Sequence, residues 1–313
     1  MGIFVFLPLV LPLTAWPVAR LAEQHLHPRT ATRLLTAIAV VLAVCSTLCL
    51  ALLMVVGTAQ LPGNPLPDGW SDPEVRAAVP YDEVAGPVAV PALLAVLAAC
   101  TATARRHRRV RRAAVRALAG LPPRGVVVLP EAAPYAYALP GGGRGRDRIV
   151  VSAGMLGALT GPERRALFAH ERAHLTARHH RHQLAVRLAS RANPMLRPLG
   201  SAVAFTTERW ADEAAAAAVG SRSAVARAVA RAGLLGAGPV PAGALAHFAA
   251  PGPVPRRVAA LLAPAPPRPA WPPLFTTVGL AVWGAAAGAV VSALSSANSA
   301  VTLIALLDAA TPL

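Results

Sequence analysis

Residues 34–60 form the longest apolar run in the chain, opening L-L-T-A-I-A-V-V-L-A-V-C. A bilayer core takes roughly 17–25 such residues as a helix. A segment in lipid must pair its backbone groups internally, so this run has little choice but to be helical. Three further runs, at about 3–20, 84–104 and 274–295, read the same way. The first contains Pro8, Pro12 and Pro17 and is expected to be a bent span. A cleaved signal peptide fits it less well, because no basic residue precedes the apolar stretch and no A-x-A site follows it. A shorter apolar tail, Val301 to Leu307, either extends the fourth helix or lies at the surface. The whole chain is 55% hydrophobic, above the roughly 45–50% of soluble domains.

Charge sets an orientation. The formal net charge is +16, and all the basic residues are arginines. Arg20, Arg29 and Arg33 lie between the first two runs, and Arg105 to Arg112 with Arg116 follow the third. The loop between the second and third carries Asp68, Asp72, Glu74, Asp82 and Glu83 against Arg76. Arginine excess marks the cytoplasmic side. The expectation is a multi-pass plasma-membrane protein with both termini outside and the stretch after Ala104 in the cytoplasm. The basic segment 105–120 abuts a span and has no interleaved aromatic residues, so it reads as a juxtamembrane stop touching anionic lipid rather than a nucleic-acid site. Cys45, Cys49 and Cys100 sit in apolar runs without a C-x-x-C pair and read as small buried hydrophobes.

Between the third and fourth spans, residues 121–265 are long enough for one domain with its own core. Short strands are expected at Gly125–Leu129, Tyr135–Leu139 and Arg148–Ser152, the last two separated by P-G-G-G-R-G-R-D. Thr160 and Glu163 have capping-box spacing, and Pro162 suits a first helical turn. That helix carries His170-Glu171-Arg172-Ala173-His174. Histidines four apart share a helix face and can reach one zinc ion, with the intervening glutamate directed at its water. The run R-A-N-P-M-L-R-P breaks the helical region, a second long helix holds Glu208 and Asp212 and ends at Gly220, and a third helical piece spans Ser221 to Leu235. Residues 236–273 read as loops around one short helix.

Two residues compete as third ligand. His180 completes H-E-x-x-H-x-x-A-x-x-H, but Ala177 occupies the position where a glycine would let the chain turn back. On a continuous helix His180 lies about 240° around from His174. Glu208 is favoured, because Asp212 shares its helix face and can accept a hydrogen bond from a ligand histidine. His179, His180 and His182 read as a solvated helix end. Tyr135, Tyr137, Arg178 and His182 stand as unassigned candidates for stabilising an oxyanion.

The segments P-Y-A-Y-A-L-P-G-G (134–142), R-I-V-V-S-A-G-M-L-G-A-L-T (148–160), A-H-E-R-A-H-L (169–175), N-P-M-L (193–196) and E-R-W-A-D-E-A-A (208–215) resemble the BlaR/MecR-type membrane metallopeptidases, gluzincin kin of HtpX and the CAAX proteases. The resemblance covers about residues 120–220. It implies a mostly α chain of membrane helices with an inserted cytoplasmic α+β gluzincin domain. It implies Zn2+ held by His170, His174 and Glu208, with Glu171 as catalytic base and Asp212 behind the ligands. The sequence shows no penicillin-binding domain after the last span, so β-lactam sensing is not expected. The partners implied are the bilayer and a cytoplasmic protein substrate, in the BlaR-like case a BlaI-like winged-helix repressor. HtpX-like quality control of membrane proteins uses the same motif. A non-catalytic scaffold is opposed by the intact Glu171, and direct DNA binding by the lack of a recognition helix.

Overall fold

The computed structural model describes residues 6–59, 63, 66–77, 79, 81–121, 125–141, 147–235, 254–266 and 271–311. Residues 3–5 of the first expected span, parts of the acidic loop 62–83, 142–146 of the glycine-rich segment and 236–253 of the expected loop region lie outside the described residues.

The first expected span is not one helix. Leu7–Val10 (α1), a 3-10 turn at Leu11–Thr14 and Ala15–His25 (α2) follow one another. Pro8 and Pro12 each stand in the first turn of a new piece, where a missing N–H costs nothing. Pro28–Ala59 (α3) is continuous and crosses beside Asp82–Ala117 (α5), reached through the short helix Pro73–Ala77 (α4). The crossing of α3 and α5 is so close at Gly57 and Gly86 that a Cβ on either would strike the other backbone. The arginines after Ala104 continue α5 without a break.

Strands Gly125–Leu129 (β1), Ala136–Leu139 (β2) and Arg148–Ser152 (β3) form one sheet in the order β1-β3-β2. Val150 at its centre pairs in parallel with Val127 and antiparallel with Tyr137. Strand β2 is therefore an edge. Ser152 closes β3: its Oγ accepts from the N–H groups of Tyr135 and Met155, capping Ala153–Ala158 (α6).

The zinc-motif helix, Gly161–Thr176 (α7), begins at the expected capping box. Glu163 accepts from the Thr160 N–H and hydroxyl at 2.8 Å each, and Arg231 pairs with the same carboxylate at 3.1 Å. Helix His179–Ala192 (α8) follows a single left-handed residue, Arg178 at φ 53°. The N-P-M-L break is a 3-10 turn at Pro194–Leu196, leading to Arg197–Val219 (α9). Gly220, at φ 71°, ends α9 as a left-handed cap. Arg222–Leu235 (α10) and Val254–Leu262 (α11) pack beside α7 and α9. Thr277–Ala309 (α12) closes the chain, and the apolar tail after Asn298 is its continuation rather than a surface segment.

Among the described residues three helices, α3, α5 and α12, are long and apolar enough to cross a membrane. Their outward faces carry Val44, Val88, Leu94, Leu97, Val290, Leu294 and Ile304, exposed apolar side chains that suit lipid better than water.

Residues 121–265 do not keep a core to themselves. Leu34, Leu35, Ile38 and Leu42 of α3 form one buried cluster with Val186, Leu196, Leu199 and Val203 of the α8–α9 region and with Val282 of α12. Polar ties mark the depth of this contact. Thr32 donates to Thr206 at 2.9 Å, and Asn193 donates to Ser46 Oγ at 3.1 Å. Removing α3 uncovers Leu196, Leu199 and Val203, each at 0% exposure in the full chain. A fragment of residues 121–265 is thus expected to aggregate or stay molten in detergent-free buffer. A cooperative melt and sharp side-chain NMR signals from that fragment would contradict the shared core.

Candidate metal centre

Helix α7 sets His170 and His174 one turn apart with their Nε2 atoms 3.1 Å from each other. The left-handed exit at Arg178 and the N-P-M-L turn fold α9 back along α7. This brings Glu208 against both rings: Oε2 lies 3.4 Å from His170 Nε2, and Oε1 3.5 Å from His174 Nε2. Among the described residues these three form the group whose donor atoms converge closely enough to hold a metal ion. A tetrahedral zinc site, with bonds of about 2.0–2.1 Å, has edges of about 3.3 Å. The three observed separations bracket that value. Glu208 Oε1 is buried and has no hydrogen-bond partner. The donor set is therefore the one zinc takes, and the geometry fits it.

Each ring has a second contact at Nδ1, as ligand histidines usually do. His170 Nδ1 lies 3.1 Å from Asp212 Oδ1, on a carboxylate that is fully buried. His174 Nδ1 lies 2.9 Å from His179 Nδ1. With a metal on His174 Nε2, its Nδ1–H would donate to His179 Nδ1, and His179 would carry its own proton on Nε2, which is buried without a partner. His179 is 1% exposed and packs on Trp210 at 4.7 Å between ring centres. Burial pushes its pKa down to about 2, so it stays a neutral acceptor.

The solvated cluster expected at His179, His180 and His182 is not found. The turn at Arg178 rotates His179 inward beneath His174. His182 lies 3.2 Å from the Thr36 hydroxyl of α3. His180 is apart from the three converging donors and faces the α5 side of the same cavity. The helix does stop at Thr176, yet the redirected chain presents His179 and not His180.

Arg257, on α11, is the second residue the sequence did not reveal. Its Nε and one terminal nitrogen grip Asp212 at 2.9 and 2.7 Å, and the other reaches Glu208 Oε2 at 3.0 Å. It lies 45 residues beyond Asp212, with no spacing pattern to connect the two. Its Arg-Arg dipeptide on a short helix was the only cue.

Glu171 lines the same cavity of about 500 Å3. Burial pushes its pKa up to about 7, and His170, Arg257 and a hydrogen bond from the Ala138 N–H of β2 temper the rise. A carboxyl group at that value can both take and return a proton near neutral pH. Glu208 is held well below the usual carboxylate range: burial opposes its charge, and His174, Arg257 and His170 outweigh burial. At His170 burial works downward, but the facing carboxylates of Asp212 and Glu208 prevail and raise it to about 10. At His174 burial prevails and lowers it to about 4. Of the oxyanion candidates, Tyr135 and Tyr137 line the cavity, and Tyr135 is hydrogen-bonded to Glu131.

The raised His170 pKa has a definite sign for metal binding. The metal-free site holds a proton on His170 at pH 7 that zinc must displace. Affinity should therefore rise about tenfold per pH unit between roughly pH 7 and 9. Calorimetry in two buffers of different ionisation enthalpy should show about one proton released per zinc. Binding that releases no proton would contradict this state of His170. Asp212→Ala should weaken zinc binding about 10–100-fold, measured by competition with a chelator.

Residues 101–193 match the model of peptidase family M48. The match runs from the second half of α5 to the start of the N-P-M-L turn and includes His170, Glu171 and His174, while Glu208 lies beyond it. No curated protein and no solved structure matches the chain. The family match supports an M48-type metallopeptidase, a group usually dependent on zinc.

Proposed function

We propose that the chain is a membrane-bound zinc endopeptidase that cuts a protein segment on the cytoplasmic side. The observation that carries this reading is the convergence of His170, His174 and Glu208 within 3.1–3.5 Å of one another, with Glu171 in the same cavity. His170, His174 and Glu208 hold the metal in this reading. When bound, zinc supplies a Lewis acid for the scissile carbonyl and for the attacking water. Glu171 takes the proton of that water and returns it to the leaving amine. Asp212 and His179 keep the two imidazoles in the tautomer that turns Nε2 inward, and Arg257 fixes both carboxylates.

The walls of the cavity favour an extended peptide. Tyr135 and, on the edge strand β2, Ala136 to Ala138 form one side, and an edge strand can accept another strand by backbone hydrogen bonds. The centre also sits beside the start of α3, through Thr32–Thr206 and His182–Thr36. That favours a substrate segment held near the membrane surface. Cleavage of a winged-helix repressor in a BlaR-like pathway and HtpX-like membrane quality control are two uses of this one site. The resemblance in 134–215 favours the first, and the placement beside α3 is compatible with both.

Replacing Glu171 with Gln should leave zinc content unchanged and cut peptide cleavage by about 10²–10⁴-fold, the share a positioned acid–base group contributes. Full cleavage by a zinc-loaded Glu171→Gln protein would overturn the mechanism.

A further inference from the structure

The cavity is electrically lopsided. Around the converging donors, Glu171, Glu208 and Asp212 face Arg257, and a divalent cation held by the donors would balance their charge. The wall also includes Arg111 of α5 and His180 of α8, with His107 one turn before Arg111. Between Arg105 and Ala117, α5 carries seven arginines and no carboxylate. Helix α8 adds Arg181, Arg187 and Arg191, also without a carboxylate. The two helices pack together, and Cys100 and Leu188 mark their contact at 3.7 Å. Burial, with Arg181, Arg111 and His107 nearby, pushes the His180 pKa down to about 4, so His180 meets the cavity as a neutral imidazole and Arg111 carries the charge there; Asp147, which opposes that shift, already accepts from the Gly141 N–H. His180 Nδ1 is buried without a hydrogen-bond partner.

Resting on the peptidase reading, we infer that Arg111 and His180 form a subsite for an acidic side chain of the substrate within the cavity that contains Glu171. Much of the α5 arginine run suits lipid headgroups at a membrane surface. Arg111 differs in position: it opens into the concavity that contains Glu171 and the edge strand β2. A low-dielectric cleft strengthens its pull on a carboxylate beyond what an exposed arginine offers. The paired donors of a guanidinium also match a carboxylate in shape. The substrate class is thus a protein segment with Asp or Glu near its cleavage site.

The test uses the full-length, zinc-loaded Glu171→Gln protein in nanodiscs of phosphatidylcholine and a positional-scanning decapeptide library. Peptides retained by the protein are read by mass spectrometry. The expected result is enrichment of Asp and Glu over Asn and Gln at one position by about tenfold, the effect of one well-placed charge pair. In the Arg111→Glu background that position should turn to Arg and Lys, and in Arg111→Lys the acidic preference should persist. Retention without acidic enrichment, no retention, or a preference unchanged by Arg111→Glu would overturn the subsite. Loss of the acidic preference in phosphatidylglycerol nanodiscs would also overturn it, by assigning the basic end to lipid headgroups. Acidic peptides that bind but are never cut by the zinc-loaded wild type would keep the subsite and sink the peptidase reading instead.

Discussion

One buried ionic cluster organises this molecule around its centre. Arg257 binds Asp212 through two nitrogens and Glu208 through the third, while Asp212 holds His170. Four side chains from α7, α9 and α11 meet there, each 9% exposed or less. Two carboxylates cannot be buried side by side without compensating charge. Arg257 supplies one positive charge from the protein, and the converging donors leave room for a divalent cation to supply the rest. The arrangement is costly unless complete, which ties the packing of α11 to the state of the donors. Glu213, one residue past Asp212, pairs instead with Arg209 at 2.9 Å and with Arg222 of α10, so it does not draw on Arg257.

The second constraint is that the centre is built against a helix long and apolar enough to cross a membrane. α3 supplies Leu34, Leu35, Ile38 and Leu42 to the core under α8 and α9. Its first turns also touch the centre's supports, because Arg29 and Arg33 lie over Trp210, the ring that packs on His179. Glu23 of α2 pairs with Arg256, the neighbour of Arg257. The supports of the donor set are thus braced by α2 and α3. A soluble domain tethered by spans would have no such contacts. This architecture explains why α2, rather than crossing as part of a straight helix, turns its small residues Ala15, Ala19 and Ala22 inward against the bundle.

Local signals in the sequence were the readable ones. The capping box at Thr160 and Glu163, the H-E-x-x-H spacing, the strand runs, the N-P-M-L break and the cap at Gly220 all act within a few residues, and each element formed where they put it. The prolines of the first run also broke it more completely than a bend. What could not be read depends on contacts across the fold. His179 is buried because Arg178 takes a left-handed conformation and Trp210 arrives from α9, and neither event has a local marker. Arg257 finds Asp212 only after α10 and α11 have folded back. The shared core escaped notice because a run of apolar residues in α3 looks the same whether lipid or protein covers it.

The metal centre depends on Glu208 as the third donor from the protein. The most direct measurement is zinc per chain in detergent-purified protein, with wild type compared with Glu208→Ala and His180→Ala. One zinc per chain in wild type and in His180→Ala, with loss in Glu208→Ala, is the predicted result. Retention in Glu208→Ala with loss in His180→Ala, or no zinc in wild type under metal-replete conditions, would contradict it.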